Sequence, residues 1–143
     1  MVTKIILIHG VPSSGKTTLA NKLNKRLPSN IVSEESVRSI TGITGKTLND
    51  YKKISEITNI IAQCHITDSN DYLIIDEVAI TNSERSNYNN DIEIFMNTIT
   101  GDSSDASVQS LFETPDTRAN QDLKIDNFNY DSDSIVTFIS NLP

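Results

Sequence analysis

Apolar residues at the start of the chain change from an unbroken run to a helical spacing. Thr3–His9 contains consecutive apolar residues from Ile5 to Ile8, which predicts a short strand buried on both faces, as in parallel sheets. Between Gly15 and Leu27, leucines recur one helical turn apart, so this segment predicts a helix that ends before Pro28. A strand followed by a short connection and a helix is the first half of a βαβ unit.

The rest of the chain continues this alternation. Further strands are predicted at Ile31–Ser33, Tyr72–Ile75, Ile92–Thr98 and Leu123–Asn127, and further helices at Glu34–Ile40, Thr47–Thr67, Ser83–Asn90 and Asp131–Leu142. Asp131 is an expected N-cap, and Gly101–Ser107 is expected to form a polar loop. Together the segments predict one α/β domain over residues 1–143, with a parallel sheet covered by helices on both faces.

Composition narrows the class of protein. The single cysteine, Cys64, excludes an internal disulfide and a zinc site with several cysteines. The N-terminus lacks the features of a signal peptide, and the apolar run is too short to span a membrane, so we expect a cytoplasmic protein without membrane contact. The net charge of −7 argues against bulk nucleic-acid binding, although nine of the twelve basic residues lie in the first 55 positions. That segment forms either a basic face or ordinary solvated helices.

The connection after the first predicted strand carries the strongest chemical motif. Gly10 to Thr17, GVPSSGKT, matches the pattern G-x-x-x-x-G-K-[ST] between a strand and a helix. Glycines let the backbone turn so that successive N–H groups face phosphate oxygens, and the helix adds its positive end. Lys16 is the expected contact of the β- and γ-phosphates, and Thr17 is an expected Mg²⁺ ligand.

Two short segments with acidic residues complete the candidate chemistry. Asp76 ends the apolar strand YLIID. In proteins that carry such a phosphate-binding loop, a carboxylate at the end of an apolar strand helps to hold Mg²⁺. Glu77 either orients a water molecule or is a solvated loop residue. Glu35 and Arg38 follow the second strand and share a helix face. They serve either as a proton acceptor and a substrate-positioning cation, or as a surface ion pair.

With these three motifs in this order, the chain resembles P-loop kinases. KIILIHGVPSSGKTT and the step from Glu35 to Arg38 resemble 5′-polynucleotide kinase domains. LIIDEVAI, Leu73 to Ile80, resembles the strand end of chloramphenicol phosphotransferase-like small-molecule kinases, and the C-terminal segment resembles the last strand and helix of adenylylsulfate and chloramphenicol kinases. The resemblance implies a sheet in the order 2-3-1-4-5, with ATP over Gly10 to Thr18 and a hydroxyl-bearing acceptor near Glu35, Arg38 and Asp76.

The candidate site therefore has a catalytic and a nucleotide-binding part. The catalytic residues are Lys16, Glu35, Arg38 and Asp76, and the Mg²⁺ ligands are Thr17 and Asp76. The nucleotide-binding residues are Gly10, Val11, Pro12, Ser13, Ser14, Gly15, Lys16, Thr17, Thr18 and Arg118. The families usually have aspartate at the Glu35 position, and glutamate is one methylene longer.

The segment after the fourth strand departs from the family pattern. Related kinases place arginines there as a lid over the transferring phosphate, whereas this segment has Arg118 alone, at its end. Arg85, in TNSER, is a second source of charge. The expected function is ATP- and Mg²⁺-dependent phosphate transfer to a hydroxyl of a small molecule or nucleoside. The alternatives are a 5′-hydroxyl polynucleotide kinase and a degenerate kinase that binds nucleotide without transfer.

Overall fold

Five parallel strands lie at the centre of the fold in a computed structural model that describes residues 3–66, 70–98, 111–115, 118 and 121–142. In chain order the strands are β1 (Lys4–His9), β2 (Ser29–Ser33), β3 (Tyr72–Asp76), β4 (Ile92–Met96) and β5 (Leu123–Ile125). They are arranged in the sheet as β2-β3-β1-β4-β5. The α/β fold class and the strand order 2-3-1-4-5 are therefore confirmed.

The helices of the described residues also occur where the sequence predicts them. They are α1 (Lys16–Arg26), α2 (Glu34–Thr41), α3 (Leu48–His65), α4 (Asn82–Asn87) and α5 (Ser132–Ser140). The ends of several elements differ from the prediction. Strand β2 begins earlier than predicted because Ser29 and Asn30 already pair with β3, and β4 and β5 end earlier. Gly101–Ser107 lies outside the described residues.

Strand β1 is buried because it pairs on both sides and is covered on both faces. Leu7 lies opposite Ile75 of β3 and opposite Glu93 of β4. Ile6 and Ile8 pack with α1 and α5, whereas Leu7 packs with α2 and α3 on the other face. This arrangement explains the unbroken apolar run, since a strand covered on both faces has no solvent side.

The helix starts differ in how their free N–H groups are satisfied. Within the described chain, α2, α3, α4 and α5 each begin with a side-chain cap, formed by Ser33, Thr47, Thr81 and Asp131. The predicted Asp131 cap is thus confirmed. Helix α1 instead has Gly15 as its N-cap residue, which has φ +95° and makes no side-chain cap. Its first N–H groups remain available for an anion.

A buried polar network lies between β3, α3 and the end of α4. Glu77 is fully buried, and its two carboxylate oxygens accept hydrogen bonds from the hydroxyls of Ser55 and Tyr88. Burial raises the pKa of Glu77 to about 8, although the bonds from Ser55 and Tyr88 act in the opposite direction. The expectation that Glu77 is a solvated loop residue is therefore wrong, because the side chain is buried and both of its oxygens accept from protein hydroxyls.

None of the helices in these described stretches combines the length and the apolar character that crossing a membrane requires.

We expect the buried Glu77 carboxyl to make stability fall as the pH rises. Unfolding lowers its pKa from about 8 to about 4.5, so in this interval the folded protein holds a proton that the unfolded chain has lost. As the pH rises from the unfolded to the folded pKa of Glu77, the free energy of unfolding should fall by an amount on the order of 4 to 5 kcal/mol. Glu77→Gln keeps a neutral side chain of the same shape, so its melting temperature should depend less on pH.

Melting temperatures measured from pH 5 to pH 8, without metal, test this expectation. Glu56→Gln is the matched control because Glu56 is exposed on the same helix as Ser55. Some dependence on pH should remain in Glu77→Gln, since burial also raises the pKa of Glu84. Equal slopes in the parent protein and in Glu77→Gln would show that Glu77 does not hold its proton in the folded state.

Candidate active site

The loop between β1 and α1 is shaped by two glycines. A Cβ atom on Gly10 would lie 2.8 Å from the carbonyl oxygen of Met96, a backbone atom at the end of β4. Gly15 has φ +95°, which residues with a side chain rarely adopt. The loop is held from the side of β4, because Oγ1 of Thr98 donates to the carbonyl oxygen of Ser14 at 2.7 Å. The loop is therefore packed against the end of β4 at Gly10 and tied to Thr98 at Ser14.

Lys16 lies inside this loop. Its Nζ donates to the carbonyl oxygen of Val11 at 3.0 Å, and the side chain is buried. Burial lowers the pKa of Lys16, while the charges of Asp76, Glu34 and Glu77 act in the opposite direction. The ammonium group thus lies at the centre of the loop, paired with a backbone oxygen that a phosphate oxygen can replace.

Thr17 and Asp76 are brought together by the pairing of β1 with β3. Asp76 ends β3 opposite Ile8, and its Oδ2 accepts a hydrogen bond from Oγ1 of Thr17 at 2.7 Å. Burial raises the pKa of Asp76, and the bond from Thr17 and the charge of Lys16 partly offset this. The hydroxyl and the carboxylate form the pair of oxygen donors that Mg²⁺ uses beside nucleotide phosphates.

These residues fit a nucleotide-bound Mg²⁺ better than a metal held by the protein alone. Across the described ranges, no group of three or more His, Cys, Asp or Glu side chains is arranged to hold a metal ion. Mg²⁺ typically keeps several waters and takes one or two carboxylates together with substrate phosphates. Thr17 and Asp76 are therefore the residues that could hold it, with the remaining positions left to phosphate and water.

The acidic and basic side chains at the start of α2 pair differently from the prediction. Nε of Arg38 lies 3.1 Å from Oε2 of Glu34, not beside Glu35. The other oxygen of Glu34 accepts from the backbone N–H of Val78 at 2.9 Å. Glu35 is exposed. The surface ion pair considered for Glu35 and Arg38 is thus wrong, because the pairing partner is one position earlier, four residues from Arg38.

Arg38 is held in one orientation by several partners. Its Nη1 donates to the carbonyl oxygens of Ile43 and Gly45, at 3.3 and 2.8 Å. Its guanidinium carbon lies 5.1 Å from the centre of the Tyr51 ring. Its Nε donates to Glu34, so these contacts hold the guanidinium group beside the loop, while Nη2 is buried without a hydrogen-bond partner among the described residues.

One cavity joins the four predicted catalytic residues. It has a volume of about 250 Å³, and its walls include Pro12, Lys16, Thr17, Glu34, Glu35, Arg38, Lys46, Tyr51, Asp76 and Val78. A second cavity, of about 360 Å³, adjoins Ser13, Gly15, Lys16, Thr17, Thr18 and Phe128. The four predicted catalytic residues therefore line the same cavity, and Lys16 and Thr17 line both cavities.

Two arginines considered for nucleotide contact lie elsewhere. Arg85 is buried, and its guanidinium donates to the carbonyl oxygens of Ala79 and Ile80. Arg118 bonds to Asp122 and to Asn90, which precede β5 and β4 and so lie at the edge of the sheet opposite the loop. The structure thus does not bring Arg118 to the predicted nucleotide-binding residues, because Asp122 and Asn90 satisfy its charge and its N–H groups.

Sequence reasoning missed two residues at this site. Glu34 was overlooked because Glu34 and Glu35 both have a helical spacing to Arg38. Only the hydrogen bond from the backbone N–H of Val78 to Glu34 distinguishes them. Phe128 was overlooked because it follows β5 in a polar segment, far along the chain from the loop. A signal was available for Phe128, since it is an apolar residue at the end of a strand that a 2-3-1-4-5 sheet places on the same edge as the loop.

A five-stranded parallel sheet in this order, with this loop between the central strand and its helix, defines a P-loop NTPase fold of the kinase type. Residues 5–90 match the family model described as AAA domain, and since this match covers more than half of the chain, the protein belongs to that family. No curated protein sequence is similar enough to count as a match.

Solved structures with a similar fold include several kinases. An APS kinase from Mycobacterium tuberculosis, solved with AMPPNP and APS, aligns with a TM-score of 0.68 at 14% identity over 98% of this chain and 96% of its own. A sugar kinase from Janibacter gives 0.71 at 12% identity over 99% and 96%. Kti12 from Chaetomium thermophilum, solved with ADP-AlF3, gives 0.68 at 17% identity over 96% and 97%. At these identities the likeness shows the fold.

The different surroundings of Glu34 and Glu35 lead to opposite expectations for stability. Glu34→Ala leaves Nε of Arg38 and the N–H of Val78 without their partner, which should lower the free energy of unfolding by about 1–3 kcal/mol. Glu35→Ala is the matched control, because this exposed residue should change stability by less than about 0.5 kcal/mol. Urea unfolding of both variants measures the difference. Equal effects would contradict the assignment of the ion pair to Glu34.

Proposed function

We propose that the protein is an ATP- and Mg²⁺-dependent phosphotransferase that moves the γ-phosphate to a hydroxyl of a small molecule or nucleoside. The observation that carries this proposal is the 250 Å³ cavity, in which Lys16, Thr17 and Asp76 face Glu35 and Arg38. A phosphate-binding loop thus meets a carboxylate and a guanidinium at one place. Similar folds in an APS kinase and a sugar kinase support the choice of a kinase.

On the donor side, the protein binds phosphate mainly through its backbone. The loop amides and the uncapped start of α1 are oriented toward phosphate oxygens. Lys16 exchanges the carbonyl oxygen of Val11 for an oxygen of the β- or γ-phosphate. Mg²⁺, when bound, offsets the charge of the phosphates, and Thr17 and Asp76 hold it or its water ligands.

On the acceptor side, Glu35 takes the proton of the attacking hydroxyl. Glu34 is committed to Arg38 and Val78, whereas Glu35 is exposed on the cavity wall. As the acceptor oxygen bonds to the γ-phosphorus, the bond from that phosphorus to the bridging oxygen of ADP breaks, and Glu35 later returns the proton to solvent. Arg38 holds the acceptor and the transferring phosphate in line.

A nucleotide-binding protein without transfer activity is the second candidate, and the positions of the arginines favour it. All four arginines of the chain are described, and Arg38 is the one that lines the cavity. Arg26 pairs with Asp133, while Arg85 and Arg118 are held elsewhere. A positioned arginine contributes about 10³–10⁵ to the rate in related phosphoryl transfer. Without a lid arginine, transfer depends on Lys16 and Arg38.

A 5′-hydroxyl polynucleotide kinase remains the alternative acceptor class. The cavity presents as many carboxylates as cations, with Glu34, Glu35 and Asp76 beside Lys16, Arg38 and Lys46. This balance suits a small acceptor better than a strand with many phosphates. Acceptor affinity that falls steeply with added salt would identify the nucleic-acid end instead.

Lys16→Ala should abolish the stabilisation of the protein by Mg-ATP. At a concentration about 100 times the dissociation constant, the ligand stabilises the parent protein by about 2.7 kcal/mol. Thermal unfolding with and without Mg-ATP measures this, and Lys25→Ala, an exposed lysine on α1, is the matched control. A variant that still gains as much melting temperature as the parent would show that the loop is not the nucleotide site.

Label transfer from γ-phosphate-labelled Mg-ATP tests the reaction itself. The acceptors are nucleosides, 5′-hydroxyl oligonucleotides, and aminoglycoside- and chloramphenicol-type hydroxyl compounds, with buffer alone as the control. We expect transfer to a small-molecule class, and Glu35→Gln should lose transfer by about 10²–10⁴-fold while it keeps its ATP affinity. Turnover unchanged in Glu35→Gln would exclude Glu35 as the base. Mg-ATP binding without transfer to any acceptor would favour the second candidate.

A further inference from the structure

A buried histidine immediately precedes the phosphate-binding loop. His9 is the last residue of β1 and is fully buried. Its ring lies almost parallel to the ring of Phe95, the residue opposite it on β4, with the ring centres 5.3 Å apart. The ring of Phe112 stacks with both, 5.9 Å from His9 and 5.5 Å from Phe95. A titratable ring is therefore packed among aromatic rings one residue before Gly10.

Charged groups from three elements act on this ring. Nε2 of His9 lies 2.8 Å from Oε1 of Glu93 on β4. Arg85 of α4 lies over the Phe112 ring, with its guanidinium carbon 4.6 Å from the ring centre. Lys16 of α1 acts on His9 through its charge, as Arg85 also does. One negative group and two positive groups of the described residues thus determine whether the ring of His9 can hold a second proton.

These surroundings keep His9 neutral in the free protein. An ionised carboxylate only accepts, so a neutral ring this close to Glu93 carries its hydrogen on Nε2. A further proton then goes to Nδ1, which has no hydrogen-bond partner among the described residues. Burial lowers the pKa of His9, and the charges of Arg85 and Lys16 act in the same direction, whereas Glu93 acts against them.

Bound phosphate changes this balance through Lys16. In the proposed nucleotide site, Lys16 contacts the β- or γ-phosphate. The negative charge of the phosphates then offsets the charge of Lys16, so one of the two cations that oppose protonation of His9 loses its effect. Glu93 continues to favour the protonated ring. A nucleotide in the loop therefore makes the second proton on His9 more favourable.

We propose that the phosphates of a bound nucleotide draw a proton from solvent onto Nδ1 of His9, so that nucleotide binds more tightly as the pH falls. This inference rests on the proposed nucleotide site and assigns to it a residue outside the loop motif. By linkage, the proton favours the nucleotide as much as the nucleotide favours the proton. Uptake of one proton changes the affinity by at most about tenfold for each pH unit.

Nitrogen-15 NMR of the histidine rings measures this proton directly, because the chain has two histidines, His9 and His65. Between pH 5 and pH 8, Mg-AMPPNP should move the midpoint of the His9 titration to higher pH, by about 1 to 2 units. Inorganic tripolyphosphate with Mg²⁺ should move it in the same direction, since the phosphates carry the effect. His65 should not respond. It ends α3 beside Ile66, whose carbonyl oxygen accepts from Thr3 just before β1, at the opposite edge of the sheet from the loop.

The affinity for Mg-ATP, measured over the same pH range, tests the consequence for binding. In the parent protein it should fall as the pH rises, and His9→Asn should remove the part of this dependence that His9 contributes. Titration of ATP itself is common to both proteins and cancels in the comparison. His65→Asn is the matched control and should behave as the parent. Glu93→Gln should move the His9 titration to lower pH, because a neutral amide no longer favours the protonated ring.

Two results would overturn the inference. One is a His9 titration that does not move when nucleotide binds, and the other is an equal pH dependence of affinity in the parent and in His9→Asn. If His9→Asn does not fold, the NMR titrations of the parent and of Glu93→Gln still decide. Failure of the proposed nucleotide site looks different, because neither Mg-ATP nor tripolyphosphate would then bind the parent. That result would contradict both proposals, whereas binding with an unmoved His9 titration contradicts this one alone.

Discussion

The parallel pairing of β1 with both β3 and β4 is the constraint on which the candidate site depends. Because all three strands run in the same direction, their carboxyl ends meet at one edge of the sheet. Asp76 then lies where Thr17 can donate to it, and Thr98 reaches the loop at Ser14 from the other side. The loop and the start of α1 are thus tied to residues at the ends of both strands that neighbour β1.

The start of α1 differs from the other helix starts because no side chain caps it. The other helices of the described ranges satisfy their first N–H groups with a side chain, and a lost cap of this kind costs about 1 kcal/mol. Gly15 offers no such group. The same feature keeps the positive end of the helix open to an anion. The start of α1 is therefore left without the stabilisation that a side-chain cap provides, and its N–H groups are available to an anion.

Local sequence patterns predicted the parts of the molecule in which one interaction dominates. The apolar run of β1, the spacing of α1 and the loop motif each depend on neighbours in the chain, so these elements were found with ends correct to within a few residues. Side chains that choose among several distant partners were not predictable. Arg38 could reach Glu34 or Glu35 within α2, and the contact of Glu34 with Val78, far along the chain, decides between them.

The two remaining corrections have the same cause. Glu77 follows a strand, where a carboxylate is usually solvated, but α3 covers it and supplies Ser55. Arg118 was considered near the nucleotide because of its place after β4 in the chain. It lies at the opposite edge because Asp122 and Asn90, at the amino ends of β5 and β4, hold it there. Tertiary contacts of this kind leave no periodic signal in the sequence.

The distribution of positive charge limits how the site can stabilise a transferring phosphate. No lysine or arginine occurs between Arg85 and Arg118, so the segment after β4 cannot supply the charge that a lid arginine supplies in other kinases. The cations beside the cavity come from the loop and from α2 with the turn that follows it. Arg38 is fixed there by Glu34 and by the carbonyls of Ile43 and Gly45. A guanidinium held in this way needs no lid closure to reach its position, so in the proposed reaction α2 would supply the positive charge that a mobile lid supplies in related kinases.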